Sequence, residues 1–196
     1  MEEYGLLVML AMMGTLAVFL VPCGILSNKV GKAKAYAIGL GIASVALIAV
    51  FFLPEGSSPL IYVLAAVAGL GFSAQWVCPH SMIPDVIEYD ELMTGERREG
   101  VYYGVHATSG KITVALASAA CGWGLELGRY VENSAEQPAS ALLAIRVLFA
   151  LIPAIFLLIC VPLLIKYPIT RESHAEVMKQ LQERRSQKAD VESEVK

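Results

Sequence analysis

The chain has 196 residues, 56% of them hydrophobic and only 17% charged, with a formal net charge of −3 and a mean hydropathy of +0.59. Soluble domains run nearer ~25% charged and ~45–50% apolar, so a water-soluble globular domain is excluded. The apolar residues fall in membrane-length blocks, and the absence of a basic stripe interleaved with aromatics argues against a nucleic-acid partner.

The blocks predict an all-α transmembrane fold with five spans: Tyr4 to Ser27, Ala35 to Leu53, Leu60 to about Ile83, Val101 to Leu127, and Ala141 to Ile165. Each has roughly the ~20 residues needed to cross a bilayer as a helix. The start, Met-Glu-Glu-Tyr, lacks the basic head of a signal peptide, so the first block is expected to be a retained span. Gly14, Pro22, Gly39, Gly41, Pro79, Pro153 and Pro162 within the blocks mark bends or close helix contacts. Cys23, Cys78, Cys121 and Cys160 lie far apart without CxxC spacing, which reads as packed thiols and not as a disulfide framework or zinc site.

The basic residues sort by side. Numbering the connections alternately, one side holds Lys29, Lys32, Lys34, Arg97, Arg98 and every basic residue from Lys166 onward; the other holds Arg129 and Arg146. By the positive-inside rule the N-terminus is outside and the C-terminus cytoplasmic. Residues 1–166 therefore read as a helical bundle and 167–196 as a cytoplasmic polar tail. The tail has weak helical spacing at Val177 and Leu181, and a solvated, partly helical or disordered state is expected; His174 within it carries no signal. Trp123 and Tyr130 read as anchors at the outer interface. An odd span count with an outside N-terminus is unusual for a complete transporter, so the chain reads as part of something larger.

Lys111 is the one charged residue inside the apolar run Val101 to Leu125. Ten residues past Val101, it stands roughly 15 Å into the membrane. Inserting a lysine there costs about 2.5–3.5 kcal/mol, so an anionic partner or a wet cavity is expected. Tyr103, His106, Gly110 and Lys111 recur at helical spacing on one face, too polar for lipid. The alternative is a snorkelling lysine or an ion pair that only fixes packing. His80, after Pro79, reads as a satisfied histidine beside a kink in preference to a proton relay.

Two segments carry a resemblance. Gly24-Ile-Leu-Ser-Asn28-Lys29-Val-Gly31-Lys32-Ala-Lys34 is similar to the loop signature of the major facilitator superfamily, Gly-x-Leu-x-Asp-Arg-x-Gly-Arg-Arg, with Asn28 in place of the usual acid. In physical terms Gly24 would allow close helix approach and Gly31 a tight turn, with Lys29, Lys32 and Lys34 holding the loop at the cytoplasmic face. Trp76 to Lys111, with Asp85, Glu88, Tyr89, Glu91, Arg97, Glu99 and Lys111, resembles the glycoside–pentoside–hexuronide:cation symporters, the family of melibiose permease. The chain then corresponds to helices eight to twelve of a twelve-helix transporter.

That resemblance implies cation-coupled symport of a sugar or related small solute, with Trp76, His106, Gly110 and Lys111 contacting substrate and Lys111 also coupling it to the ion. His106 and Ala107 depart from the amide and hydroxyl of melibiose-type members. The resemblance further implies a cytoplasmic gate at Asp85 and Arg97; the alternative for this charged stretch is an ordinary solvated loop. Implied partners are the lipid bilayer, the substrate and an N-terminal helical bundle, in a bacterial inner membrane. No cofactor is implied beyond a coupling ion, Na⁺ or H⁺, held mostly by the N-terminal half. No nucleophile–base pair is evident, so an enzyme is not expected. A lysolipid carrier and a non-transporting scaffold are the other readings.

Overall fold

A computed structural model of the chain describes residues 2–54, 59–132, 134 and 136–194. The elements in order are α1 (Glu2–Val30), α2 (Lys32–Phe51), α3 (Leu60–Thr94), α4 (Glu99–Leu127), α5 (Ala139–Arg146), a π-helical turn (Val147–Leu151), α6 (Ile152–Ile165) and α7 (Arg171–Glu194). Helices are the outcome the blocks demand, because in hydrocarbon each backbone N–H and C=O needs a partner within its own segment.

Among the described residues, four segments are long and apolar enough to cross a membrane: Tyr4–Val30, Lys32–Phe51, Leu60–Thr94 and Ala139–Ile165. The expected fifth, now α4, has the length at 29 residues but is not among them. Thr108, Ser109, Lys111 and Thr113 dilute its apolar residues. The last span joins α5 and α6 through the π-helical turn. Pro153 has no N–H for the preceding turn, and the widened turn before it absorbs that loss.

α3 lies at the centre, packed against α1 and α2; α2 packs in turn on α6. The seams are made by small residues. Ala35, Ala37, Gly39, Leu40, Ala43 and Ser44 are buried on α2, facing Ala68, Gly71, Ser73 and Ala74 among the buried residues of α3. Lipid tails compete with large side chains, so close backbone packing is what brings such helices together. A Cβ at Gly39 would strike Ala74 and the Gly71 carbonyl, and one at Gly69 would strike the Met12 backbone. At Gly24 and Gly41 it would meet nothing, so the close approach expected at Gly24 occurs at Gly39, Gly69 and Gly71 instead.

Gly31 separates α1 from α2 with φ +96°, and Gly95 ends α3 with φ +78°. Both are left-handed conformations that glycine adopts without a Cβ clash. The Gly95 N–H donates to the Glu91 carbonyl at 2.8 Å. Until that stop nothing breaks α3, which runs to Thr94, well past the expected end near Ile83. At 35 residues and ~1.5 Å per residue it is about 52 Å long, far more than the ~30 Å hydrocarbon layer. Its last turns therefore project beyond the apolar layer, and α7 docks on them.

Candidate functional site

At the projecting end, Lys32 opens α2 just after the Gly31 turn. Its Nζ donates to both carboxylate oxygens of Asp85 at 2.7 Å and to the Ser81 carbonyl at 2.8 Å. Asp85 is buried, with 7% exposure. A charge that sheltered requires a partner, and the loop motif supplies it. His174 of α7 completes the cluster, with Nε2 at 2.6 Å from Glu88 Oε2 and 3.4 Å from Asp85 Oδ1. The ligand atoms of Asp85, Glu88 and His174 lie within 4.8 Å of one another, a spacing open to a metal ion. Lys32 already occupies the cationic position on Asp85, so the group is an ion-paired cluster.

α7 is fastened at further points. Val177 and Leu181 are buried, Arg184 donates to the Leu92 carbonyl at 2.6 Å, and Arg185 donates to Glu91 at 2.8 and 3.0 Å. Arg171 reaches the Asn28 carbonyl at 3.0 Å. The tail, expected to be solvated and partly helical or disordered, is a helix with Val177 and Leu181 docked against the bundle. His174, which carried no sequence signal, bridges it to α3. Beneath it a cavity of about 260 Å³ is lined by Ser27, Lys32, Asp85, Tyr167, Arg171 and His174 among others. The Tyr167 hydroxyl is buried with no hydrogen-bond partner among the described residues. Burial, and then the charge of Asp85, push its pKa up.

Arg97 does not meet Asp85. It pairs with Glu91 at 3.1 Å and with Glu99, and Arg98 pairs with Asp90 at 2.7 Å. The bond to Glu99 leads in holding the Arg97 guanidinium above the usual arginine range. Most of these residues belong to the last turns of α3 and the first of α4 rather than to a loop. Asp90 and Glu91 keep only 15% side-chain exposure. Lys29 is exposed and stands beside a second groove shared with Lys34 and Tyr167.

The other sequence-derived residues lie on an open face. α4 has no buried residue anywhere along its length; it touches α5, more lightly α3, and through Gly124 the Leu148 side chain of the π-helical turn. Tyr103, His106, Ala107, Gly110 and Lys111 are all exposed. Lys111 has no ion-pair or hydrogen-bond partner among the described residues. On α3, Trp76 is 63% exposed. It lines a cleft of about 360 Å³ with Met12, Leu16, Phe72, Gln75 and His80 among others. His80 is satisfied at Nδ1 by the Trp76 carbonyl, 2.9 Å away, as its sequence context suggested. Across from it the His106 ring stands edge-on, with centroids 6.0 Å apart. The structure thus brings Trp76 and His106 to either side of His80, a residue that pattern alone did not select.

The bundle is assembled by small-residue seams, and its polar helix α4 is left uncovered. The family model for MFS/sugar transport proteins matches residues 1–171. The chain belongs to that family. An uncharacterized symporter of Synechocystis is 38% identical over 93% of this chain and 35% of its own length. A glucuronide carrier protein homolog of Escherichia coli is 25% identical over 85% of this chain and 36% of its own length. A sodium-dependent lysophosphatidylcholine symporter 1-B of Danio rerio is 27% identical over 85% of this chain and 32% of its own length. The chain spans about a third of the length of these relatives. Family membership and the apolar helices make it a multi-pass integral membrane protein.

Proposed function

We propose that this chain forms the C-terminal part of a cation-coupled symporter for a sugar or similar small hydroxylated solute. Cargo is held near the bilayer midplane between this bundle and an N-terminal bundle, and alternating access rocks one against the other. Trp76 offers an aromatic face for stacking on a sugar ring, His106 a hydrogen-bonding edge, and Gly110 room for close approach. Lys111 competes with Na⁺ or H⁺ for carboxylates of the facing bundle, and so couples ion to cargo. The observation that carries this reading is the uncovered α4, which brings a lysine to mid-helix without a partner of its own.

The end bearing Lys32 and Arg97 is cytoplasmic in this reading, because basic residues are retained on that side. Asp85 and Arg97 serve the gate there. Each is already ion-paired within its own bundle, so contacts between halves exchange partners without exposing a bare charge. A second reading, an amphiphile carrier, draws on the lysophosphatidylcholine relative and on the Met12, Met13, Leu16 and Phe72 walls of the cleft.

The experiment is Lys111→Met in the complete transporter. It keeps the side-chain length and removes the charge. The variant is expected to insert normally, since deleting a costly unpaired charge is rarely destabilising, yet to lose concentrative uptake. Full accumulation with unchanged Na⁺ and pH dependence would reduce Lys111 to a structural residue.

A further inference from the structure

His80 lies one helical turn beyond Trp76 on α3, and Gln75, Trp76 and His80 are all exposed on a membrane-spanning helix. Hydrocarbon gives an imidazole and an amide no hydrogen-bond partners, so this face must meet water, cargo or protein. The bond between His80 Nδ1 and the Trp76 carbonyl decides what the ring can do. A carbonyl only accepts, so Nδ1 carries the proton and the neutral ring presents Nε2 as a bare acceptor.

The surroundings suit an acceptor at that position. α1 contributes Met12, Met13 and Leu16 to the cleft, none of them titratable; α3 contributes Phe72, Gln75 and Trp76, also without charge. The titratable group facing His80 from α4 is His106. Lys111 lies further along that helix. An indole face, an amide and one ring-nitrogen acceptor thus share an apolar-walled cleft of about 360 Å³, towards the small end of the ~300–1,000 Å³ typical of small-molecule sites. The complement of such a lining is a ring with an apolar face and hydroxyl donors at its edge.

We infer that His80 is a cargo-contacting, specificity-determining residue whose Nε2 accepts a hydrogen bond from a hydroxyl of a ring stacked on Trp76. This rests on the symporter reading and names the cargo class as a hydroxylated ring. It also gives His80 and His106 different tasks. His80 has its tautomer set by the backbone of its own helix, whereas His106 approaches from α4 and shares no hydrogen bond with it.

The test is uptake kinetics of the complete transporter in proteoliposomes, with radiolabelled glucose, glucuronate and lysophosphatidylcholine as probes. His80→Phe keeps an aromatic ring but removes the acceptor. It should raise the half-saturation concentration of the transported ring probe about fivefold, the loss of one hydrogen bond, with maximal rate unchanged. His80→Gln supplies a carbonyl acceptor and should recover most of that loss. Equal behaviour of Phe and Gln variants, or a fall in maximal rate that tracks membrane abundance, would overturn the inference and make His80 a packing residue. If Trp76→Ala raises half-saturation while both His80 variants match the native protein, this inference fails and the symporter reading stands. Uptake of lysophosphatidylcholine alone, or indifference to both Trp76→Ala and Lys111→Met, removes the reading on which it rests.

Discussion

Lys32 and Asp85 stand 53 positions apart in the chain, and the Lys32 ammonium sits 2.7 Å from both Asp85 oxygens. The pair ties the turn between α1 and α2 to the projecting part of α3. It also answers a chemical oddity of the loop motif. Asn28 replaces the acid usual in that turn, and the carboxylate that neutralises the loop lysine comes from α3 instead. Side-chain exposures of 31% for Lys32 and 10% for Asp85 place the pair between the exposed and buried extremes.

Removing one partner of a buried pair costs ~3–5 kcal/mol and of an exposed pair ~0–1, so Asp85→Asn should cost about 2 kcal/mol. Lys32→Met should cost a similar amount by leaving Asp85 sheltered and unpaired. The double variant should be less damaging than the two losses added together. Denaturant unfolding in detergent, read as a double-mutant cycle, checks this; strict additivity would show that the two charges are not coupled.

Val177 and Leu181 face the bundle at 6% and 3% exposure, and Val177→Asp places a charge in that contact. α7 should undock, and trypsin should then cut at Arg184 and Arg185 much faster than in the native protein. Ala175→Asp, at an exposed position of the same helix, should leave the rate of cutting at Arg184 and Arg185 unchanged. Equal protection of both variants would mean that the contact does not hold α7.

Tyr167 carries a buried hydroxyl without a partner among the described residues. Leaving such a group unpaired costs about 1–3 kcal/mol, so Tyr167→Phe should raise thermal stability by a few degrees. The pH dependence has a definite sign. The folded-state pKa is raised, chiefly by burial and then by Asp85, so stability is fully kept below the ordinary tyrosine value of about 10 and is lost as pH rises through the higher folded value. The Phe variant should lack this alkaline loss. Melting curves across the alkaline range compare the two.

Gly39→Ala puts a methyl group against Ala74 and the Gly71 carbonyl, whereas Gly24→Ala meets nothing. The first should destabilise the α2–α3 seam by about 1–3 kcal/mol; the second should be neutral or slightly stabilising. Unfolding in mixed micelles ranks them. The reverse order would contradict the seam described here.

Gly95 closes α3 and Ser134 lies between α4 and α5. Single cysteines at these positions, with Cys23, Cys78, Cys121 and Cys160 replaced by serine, should react with an impermeant thiol reagent from opposite faces of the membrane. Position 95 should be reached only from the cytoplasmic side. Labelling of both from one face would invalidate the proposed topology.

Much of this protein is determined by local sequence. A run of apolar residues has to become a helix wherever water is absent, so the all-helical fold and four membrane-length helices follow from composition, while the end of α3 and the standing of α4 do not. The isolation of Lys111 in such a run and the glycine turn at residue 31 are local in the same sense. The tertiary structure decided what depends on distance between elements. Glu91 read as part of a solvated loop and Asp85 as a gate residue, and nothing beside them in sequence shows that α3 continues to Gly95 or that Lys32 and Arg185 arrive there. His174 acquires a role only because α7 lies along α3, an outcome that mixed charge and two apolar residues could not foretell. The same holds for His80, whose neighbour Trp76 is local but whose cleft is completed by α1 and faced by His106 from α4. Hydropathy is a sum over adjacent residues, whereas ion pairs and cargo contacts join residues far apart in sequence, and only the packed helices bring those together.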